Sequence, residues 1–208
     1  MVNPLYSDNR MKIGVMAFNC SHGSTVTTAD GAWPMTWDDN VALAQMADRA
    51  GFEALLPVGR WKGYGGETNF NNRTFESLTW AAGIAAVTDY STIFSTVHAP
   101  LMHPVAVAKM SATVDHISNG RFALNVVAGW FKNEFEMFDA ELKEHGARYE
   151  YAAEWIDVIK RLWVEEEAFD YDGAYFQGKA LWSQPKPIQS PRPPIMNAGS
   201  SSAGQEFS

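Results

Sequence analysis

The chain has 208 residues and carries 16 Lys and Arg against 24 Asp and Glu, a formal net charge of −8, with 46% hydrophobic and 19% charged residues. Those values belong to a globular chain long enough to bury a sizeable core, and they exclude a disordered tail or a collagen-like repeat. The acidic balance speaks against nonspecific nucleic-acid binding, no apolar run approaches the roughly 20 residues of a membrane helix, and the opening MVNPLYSDNRMK lacks the apolar stretch of a signal peptide. Cys20 is the sole cysteine and cannot form an internal disulfide, so a reducing, cytoplasmic setting is expected. The 8 Trp and 12 Phe suit a thick core or a pocket for a flat ligand, and composition does not choose between them.

Lys12 to Phe18 (KIGVMAF) reads as a short buried parallel strand. Thr36, with Asp39 three residues on, marks the start of a helix that carries Val41, Ala44 and Ala47 on one face and ends near Gly51. Phe52 to Val58 is a second strand, and a polar, glycine-rich loop runs from Gly59 to Arg73. Thr74 is expected to cap an alanine-rich helix from Phe75 to about Val87, and the β-branched stretch Thr92 to His98 is a third strand. Pro104 as first helical residue and Gly120 as C-terminal glycine bracket a helix with Val105, Ala108, Ala112 and Ile117 on its apolar side. Arg121 to Val127 is a fourth strand. A long loop, Ala128 to about Gly146, leads to a helix from Ala147 to Trp163. Asp170 to Phe176 holds an Asp-Gly turn between aromatics and reads as a small hairpin. A proline-rich stretch, Gln184 to Pro194, crosses to a fifth strand at Ile195 to Ala198, after which Gly199 and Ser200 to Ser202 resemble a helix start.

Strict β-α alternation implies an α/β fold with a parallel sheet and right-handed crossovers. No GxGxxG follows the first strand, which disfavours a dinucleotide-binding sheet. The alternative is a (β/α)8 TIM barrel. Closed barrels need about 250 residues, so this chain is expected to form one domain covering about the first five β/α units, an N-terminal fragment.

In such a fold chemistry sits at the C-terminal ends of the strands. That rule selects Asn19 to His22, Gly59 to Lys62, His98, Asn125 with the Ala128–Trp130 exit, Glu134, and Gly199 with the serines. Serines and free N–H groups at a helix start suit an anion. Asn125 lies inside an apolar strand, where it is either a core hydrogen-bonding group or a ligand contact. His98 and His103 are poorly spaced for a metal pair, so no metal is expected. His22 and His116 read as ordinary loop and helix-surface residues. Gly63, Gly65 and Gly66 lack the phosphate-loop spacing and read as a flexible lid. No GxSxG elbow accompanies the serines, and Glu165 to Glu167 read as solvated surface.

The stretches HISNGRFALNVVAGWFKNEFEMF, EHGARYEYAAEWIDVIKRLW and PKPIQSPRPPIMNAGSSSAG resemble the bacterial luciferase-like flavin-dependent monooxygenases, from about residue 11 onward. The resemblance is strongest to the branch of dimethylsulfone, alkanesulfonate and pyrimidine monooxygenases. The Gly-Trp-Phe-x-x-Glu-Phe and Glu-His-x-x-Arg-Tyr segments lean to the sulfone type. It implies a TIM barrel using reduced FMN (FMNH2) from a separate NAD(P)H-dependent flavin reductase, and O2. A flavin C4a-(hydro)peroxide then oxygenates a small organic substrate. The flavin contacts it implies are Gly59, Arg60, Asn125, Glu134, Arg148, Tyr149 and Ser201. Arg148, Tyr149 and Ser201 would serve the phosphate, and Asn125 the reactive edge of the ring. His98 is implied as a second catalytic-pocket residue beside Asn125. A full-length homo-oligomer is expected, without membrane or nucleic-acid partners. A deazaflavin (F420) oxidoreductase on the same fold and a non-catalytic flavin-binding remnant are the competing readings.

Overall fold

The computed structural model describes residues 3–199 and 204. Its elements in chain order are β1 (Gly14–Met16), α1 (Trp37–Arg49), β2 (Ala54–Leu56), α2 (Ser77–Ala85), β3 (Thr92–His98), α3 (Pro104–Ile117) and β4 (Phe122–Val127). They are followed by α4 (Lys132–Met137), α5 (His145–Val164), β5 (Phe169–Asp172), β6 (Gln177–Leu181) and β7 (Ile195–Met196). A five-stranded sheet runs β1-β2-β3-β4-β7 with every pairing parallel, and β5 and β6 form a separate antiparallel hairpin. The α/β architecture with a parallel sheet is therefore as expected. Among the described residues the sheet is open, with β1 and β7 as its edges.

Strand side chains alternate between faces, and the register divides this sheet cleanly. Leu55, Ile93, Val97, Phe122, Leu124 and Val126 lie on the face that packs into the helix-covered core. Fully burying one such aliphatic side chain contributes about 1.5–3 kcal/mol. The opposite face carries Phe94, Thr96, His98, Ala123 and Asn125, none of them part of that core. Helix α5 is fastened to α3 and its approach through buried tryptophans: Trp155 Nε1 donates to the Met102 carbonyl at 2.7 Å and Trp163 Nε1 to that of Ala108 at 3.1 Å. The Ser-x-Gly-Arg entry to β4 is a structural device. Buried Arg121 donates to the carbonyls of Ala85, Thr88, Ser91 and Ser118, tying the end of α2 to the start of β3 and β4.

Several expectations change. The KIGVMAF run is not a buried strand: only Gly14–Met16 pairs, and Ile13 and Met16 are 50% and 56% exposed. As an edge strand it has a neighbour on one side only. Thr74 does not cap α2. Glu76 does, its carboxylate accepting from the Leu78 and Thr79 amides, while Thr74 donates to the Asn71 carbonyl. At the end of α3 the residue after the cap is Asn119, and Gly120 is one further on. Their amides donate to His116 and Asp115 carbonyls, the paired bonds of a Schellman ending. The loop Ala128–Gly146 contains α4, and α5 begins two residues earlier than expected, at His145. The hairpin extends to Leu181, and β7 stops at Met196. The helix start expected at Ser200 to Ser202 lies outside the described residues.

Candidate active site

The carboxyl ends of β2, β3 and β4 converge on one buried carboxylate. Glu134 sits on α4 with no exposed surface. Its Oε2 accepts from Arg60 Nη1 at 3.1 Å, and its Oε1 accepts from the Trp61 and Lys62 amides at 2.6 and 3.3 Å. His98, the last residue of β3, brings Nε2 to 3.7 Å from Glu134 Oε2, beyond hydrogen-bonding distance. Burial, and then the Arg60 charge, push the His98 imidazolium down to about 4, so the ring is neutral near pH 7 and this contact is no ion pair. Arg60 is the sole cation paired with Glu134 among the described residues. Its guanidinium lies 4.6 Å from the Tyr64 ring centre, 5.5 Å from Trp130 and 5.4 Å from Phe131. Tyr64 also stacks on Phe70 at 4.5 Å. The segment expected to be a flexible lid is therefore pinned by an ion pair and an aromatic cluster.

Gly59 permits this approach. A Cβ there would stand 2.7 Å from the Thr96 carbonyl oxygen and 3.2 Å from His98 Cε1, so any side chain would push the β2 exit off β3. Asn19 fixes the neighbouring exit from β1 by donating to the Val58 and Phe75 carbonyls and accepting from the Val58 amide. Cys20 is buried beside Asn71 Nδ2 at 2.7 Å, and burial raises its thiol to about 11, leaving it in the unreactive protonated form. His103 caps α3 by accepting from the Val105 amide at 3.3 Å, and His116 bonds the Lys186 carbonyl on the surface.

The other half of the site lies at the ends of β4 and β7. Asn125 is buried next to Thr96. Its Nδ2 donates to Thr96 Oγ1 at 3.0 Å, that hydroxyl donates to the Pro57 carbonyl at 2.6 Å, and Asn125 Oδ1 has no partner. Two residues on, on the same face, Val127 lines a cavity of about 280 Å3 whose wall includes Gly129, Trp130, His145, Arg148, Tyr149 and Asn197. Arg148 donates through Nη1 to the Gly129 carbonyl and through Nη2 to His145 Nδ1 at 3.1 Å. A guanidinium cannot accept a hydrogen bond, so His145 accepts at Nδ1 and carries its proton on Nε2. Arg148 Nε is buried without a partner, and no carboxylate among the described residues pairs with this side chain. A Cβ on Gly199 would fall 3.0 Å from the Tyr149 hydroxyl and from Gly204 Cα, so Tyr149 rests on bare backbone. Trp130 joins the two halves, lining the cavity on one side and covering Arg60 on the other.

The structure thus gathers Gly59, Arg60, Glu134 and His98 into one group and Arg148 and Tyr149 into another, with Asn125 on the strand between them. Ser201 lies outside the described residues. Sequence reading passed over two contributors. His145, three residues before Arg148 and four before Tyr149, is on the same face of α5, a spacing that marks it. Thr96 gave no signal, because a β-branched residue in a strand needs no functional reason.

A parallel α/β sheet with polar groups gathered at its carboxyl ends defines the class of fold in which ligands bind beyond the strand ends. The chain belongs to the luciferase-like monooxygenase family, whose model matches residues 11–208. It is 36% identical over 200 residues, 95% of its length, to the pyrimidine monooxygenase RutA of Serratia proteamaculans, of which it covers 54%. The chain spans about half the length of the curated relatives it matches. Its fold is similar to that of monooxygenase RslO1 from Streptomyces bottropensis, with a TM-score of 0.74, 25% identity, and coverage of 90% of this chain and 53% of that one. The EDTA monooxygenase EmoA from Chelativorans sp. BNC1 matches at a TM-score of 0.82 and 19% identity, over 95% of this chain and 53% of that one. The curated relative bears the pyrimidine name, whereas the two sequence segments lean to the sulfone type. No helix among the described residues is long and apolar enough to cross a membrane.

Proposed function

We propose that this chain forms the N-terminal, flavin-holding part of a (β/α)8-type flavin-dependent monooxygenase that uses reduced FMN and O2 on a small organic substrate. The observation that carries the reading is Arg148, a cation with a buried, unpartnered Nε on the wall of a cavity at the carboxyl ends of β4 and β7. Such a donor suits an anion like a phosphate. Asn125 adds a buried acceptor without a partner on β4 itself.

These residues fit a flavin mononucleotide. Arg148, His145 and Tyr149 would hold its phosphate, together with Ser201, and Gly59, Arg60 and Asn125 would flank the ring. Bound reduced flavin supplies the electrons that activate O2. The protein's own work is to bind, orient and keep water out. Asn125 Oδ1 can accept from a ring N–H. Neutral His98 presents no charge to the pocket. Tyr64, Phe70, Trp130 and Phe131 pack together into an aromatic wall beside the site. A separate NAD(P)H-dependent reductase would deliver the reduced flavin, in the cytoplasm. A pyrimidine is the first substrate class to test, followed by sulfones and sulfonates.

Anaerobic titration with oxidised and reduced FMN tests the reading. Tighter binding of the reduced form, and oxygen consumption when that complex meets O2, support it. Equal affinity for the two forms contradicts it. Preference for a deazaflavin would assign the site to hydride transfer instead.

A further inference from the structure

The resemblance makes Glu134 a flavin contact, and the structure gives its carboxylate a different occupation. A carboxylate offers about four lone-pair directions. Here three are taken by Arg60 Nη1, the Trp61 amide and the Lys62 amide, and the His98 ring stands at 3.7 Å from Oε2. The side chain is fully buried and both of its oxygens already have partners. Its donors come from the β2 exit, 72 to 74 residues earlier in the chain. Glu134 itself comes from a helix in the β4 exit, whose next anchor is Phe135 packed on Gly129. The same two segments meet again where Trp61 packs edge-on against Phe138 at 5.0 Å and where Tyr64 meets Phe131 at 5.2 Å.

We infer that Glu134 is a positioning residue that clamps the β2 exit and the Arg60 guanidinium to α4 and does not itself touch the cofactor. The clamp rests on the proposed flavin site only for the meaning of its second readout. An opposite charge and two backbone N–H donors satisfy the buried carboxylate. The arrangement therefore fixes two things at once. Arg60 is held in one rotamer beneath the aromatic cluster, and the peptide planes at Trp61 and Lys62 are locked with their N–H groups toward α4. Both are set before any ligand arrives.

Two variants separate the two jobs. Glu134→Ala removes the acceptor for the amides and for Arg60. Glu134→Gln keeps one carbonyl oxygen for the Trp61 amide and leaves Arg60 facing an NH2 group that cannot accept. Hydrogen exchange by NMR on the flavin-free full chain reads each bond. In Glu134→Ala the Trp61 and Lys62 amides exchange faster by about tenfold or more, while Val97 and Val126 in β3 and β4 keep their rates. In Glu134→Gln the Trp61 amide regains protection and the Arg60 Nη1–H exchanges faster. If Glu134→Ala loses protection at Val97 and Val126 as well, it has not folded, and Glu134→Gln decides alone. Faster Arg60 Nη1–H exchange over unchanged strand amides upholds the clamp, and unchanged Arg60 Nη1–H exchange overturns it. The second readout is flavin affinity. Glu134→Gln lowers affinity for FMN and riboflavin by the same factor. Lost flavin affinity with wild-type exchange at Arg60, Trp61 and Lys62 would mean direct contact and overturn the inference. A wild-type chain that binds no flavin but shows the exchange pattern would keep the clamp and discard the flavin reading.

Discussion

The two halves of the site are built on opposite terms. Around Glu134 the strong polar groups are spent inside the protein: the carboxylate on Arg60 and two amides, the guanidinium on Glu134 beneath aromatic rings. Across the sheet, at the ends of β4 and β7, polar atoms are left over. Asn125 Oδ1 and Arg148 Nε are buried with nothing to bond, and a cavity opens beside Arg148. An unpaired buried polar group costs about 1–3 kcal/mol; His22 Nδ1, Ser111 Oγ and Ser183 Oγ are also buried without a partner, and what sets Arg148 apart is the cavity at the ends of β4 and β7 that its side chain lines. The comparison teaches how to tell a wall from a contact when both are conspicuous in a sequence. Here the satisfied cluster shapes the wall beside the ring, and the unsatisfied atoms at Asn125 and Arg148 are the ones left to bond a ligand.

Mutations can break that contrast. Removing the acid from the satisfied side has the largest effect, because it strands a buried guanidinium. Glu134→Ala is expected to cost about 3–5 kcal/mol of folding stability in urea unfolding, and Arg60→Met with Glu134→Gln together less than the sum of the two singly. Acid should act on the same side. His98 titrates at about 4 in the folded chain and near 6.5 when unfolded. The unfolded state therefore binds the proton first as pH falls. Stability is intact above about 6.5 and declines toward 4, by about 3 kcal/mol for this group. The decline should shrink in His98→Gln, and an undiminished slope in that variant would show that other groups carry it. The unsatisfied side should be mild by comparison. Asn125→Ala forfeits one bond to Thr96 and removes an orphan acceptor, so its unfolding free energy should move by about 1 kcal/mol or less. Its effect should appear in oxygen reactivity of the flavin-loaded chain instead.

What could be read from the residues follows from how local each signal is. β3 matches residue for residue and α3 starts where expected, at Pro104, because a β-branched run and a proline at the first helical position act within their own segments. α4 was missed. It has six residues, no apolar period, and an N-terminal cap, Phe131, that offers no side-chain acceptor. Thr74 looks like a cap because it is a hydroxyl before an alanine-rich run, while the longer Glu76 side chain reaches two amides. Arg60 and Glu134 were both named by resemblance. Their pairing was not visible, since 74 residues separate them and only the parallel register brings β2 beside β3 and β3 beside β4. The exposure of the first strand follows from the strand count, since five parallel strands cannot close an eight-strand barrel and leave the first and fifth as edges, as observed among the described residues.

The distinction between wall and contact stands or falls on Arg148. The direct measurement is titration of FMN and of riboflavin, by flavin fluorescence, against the wild-type chain and Arg148→Ala. Loss of a charged hydrogen bond to phosphate should weaken FMN by about 1.5–3 kcal/mol, a factor of roughly ten to a hundred and fifty, and leave riboflavin, which has no phosphate, nearly as before. Equal weakening of both ligands, or none of either, would contradict the assignment of Arg148 to the phosphate and with it the reading of the unsatisfied half as the side that meets ligand.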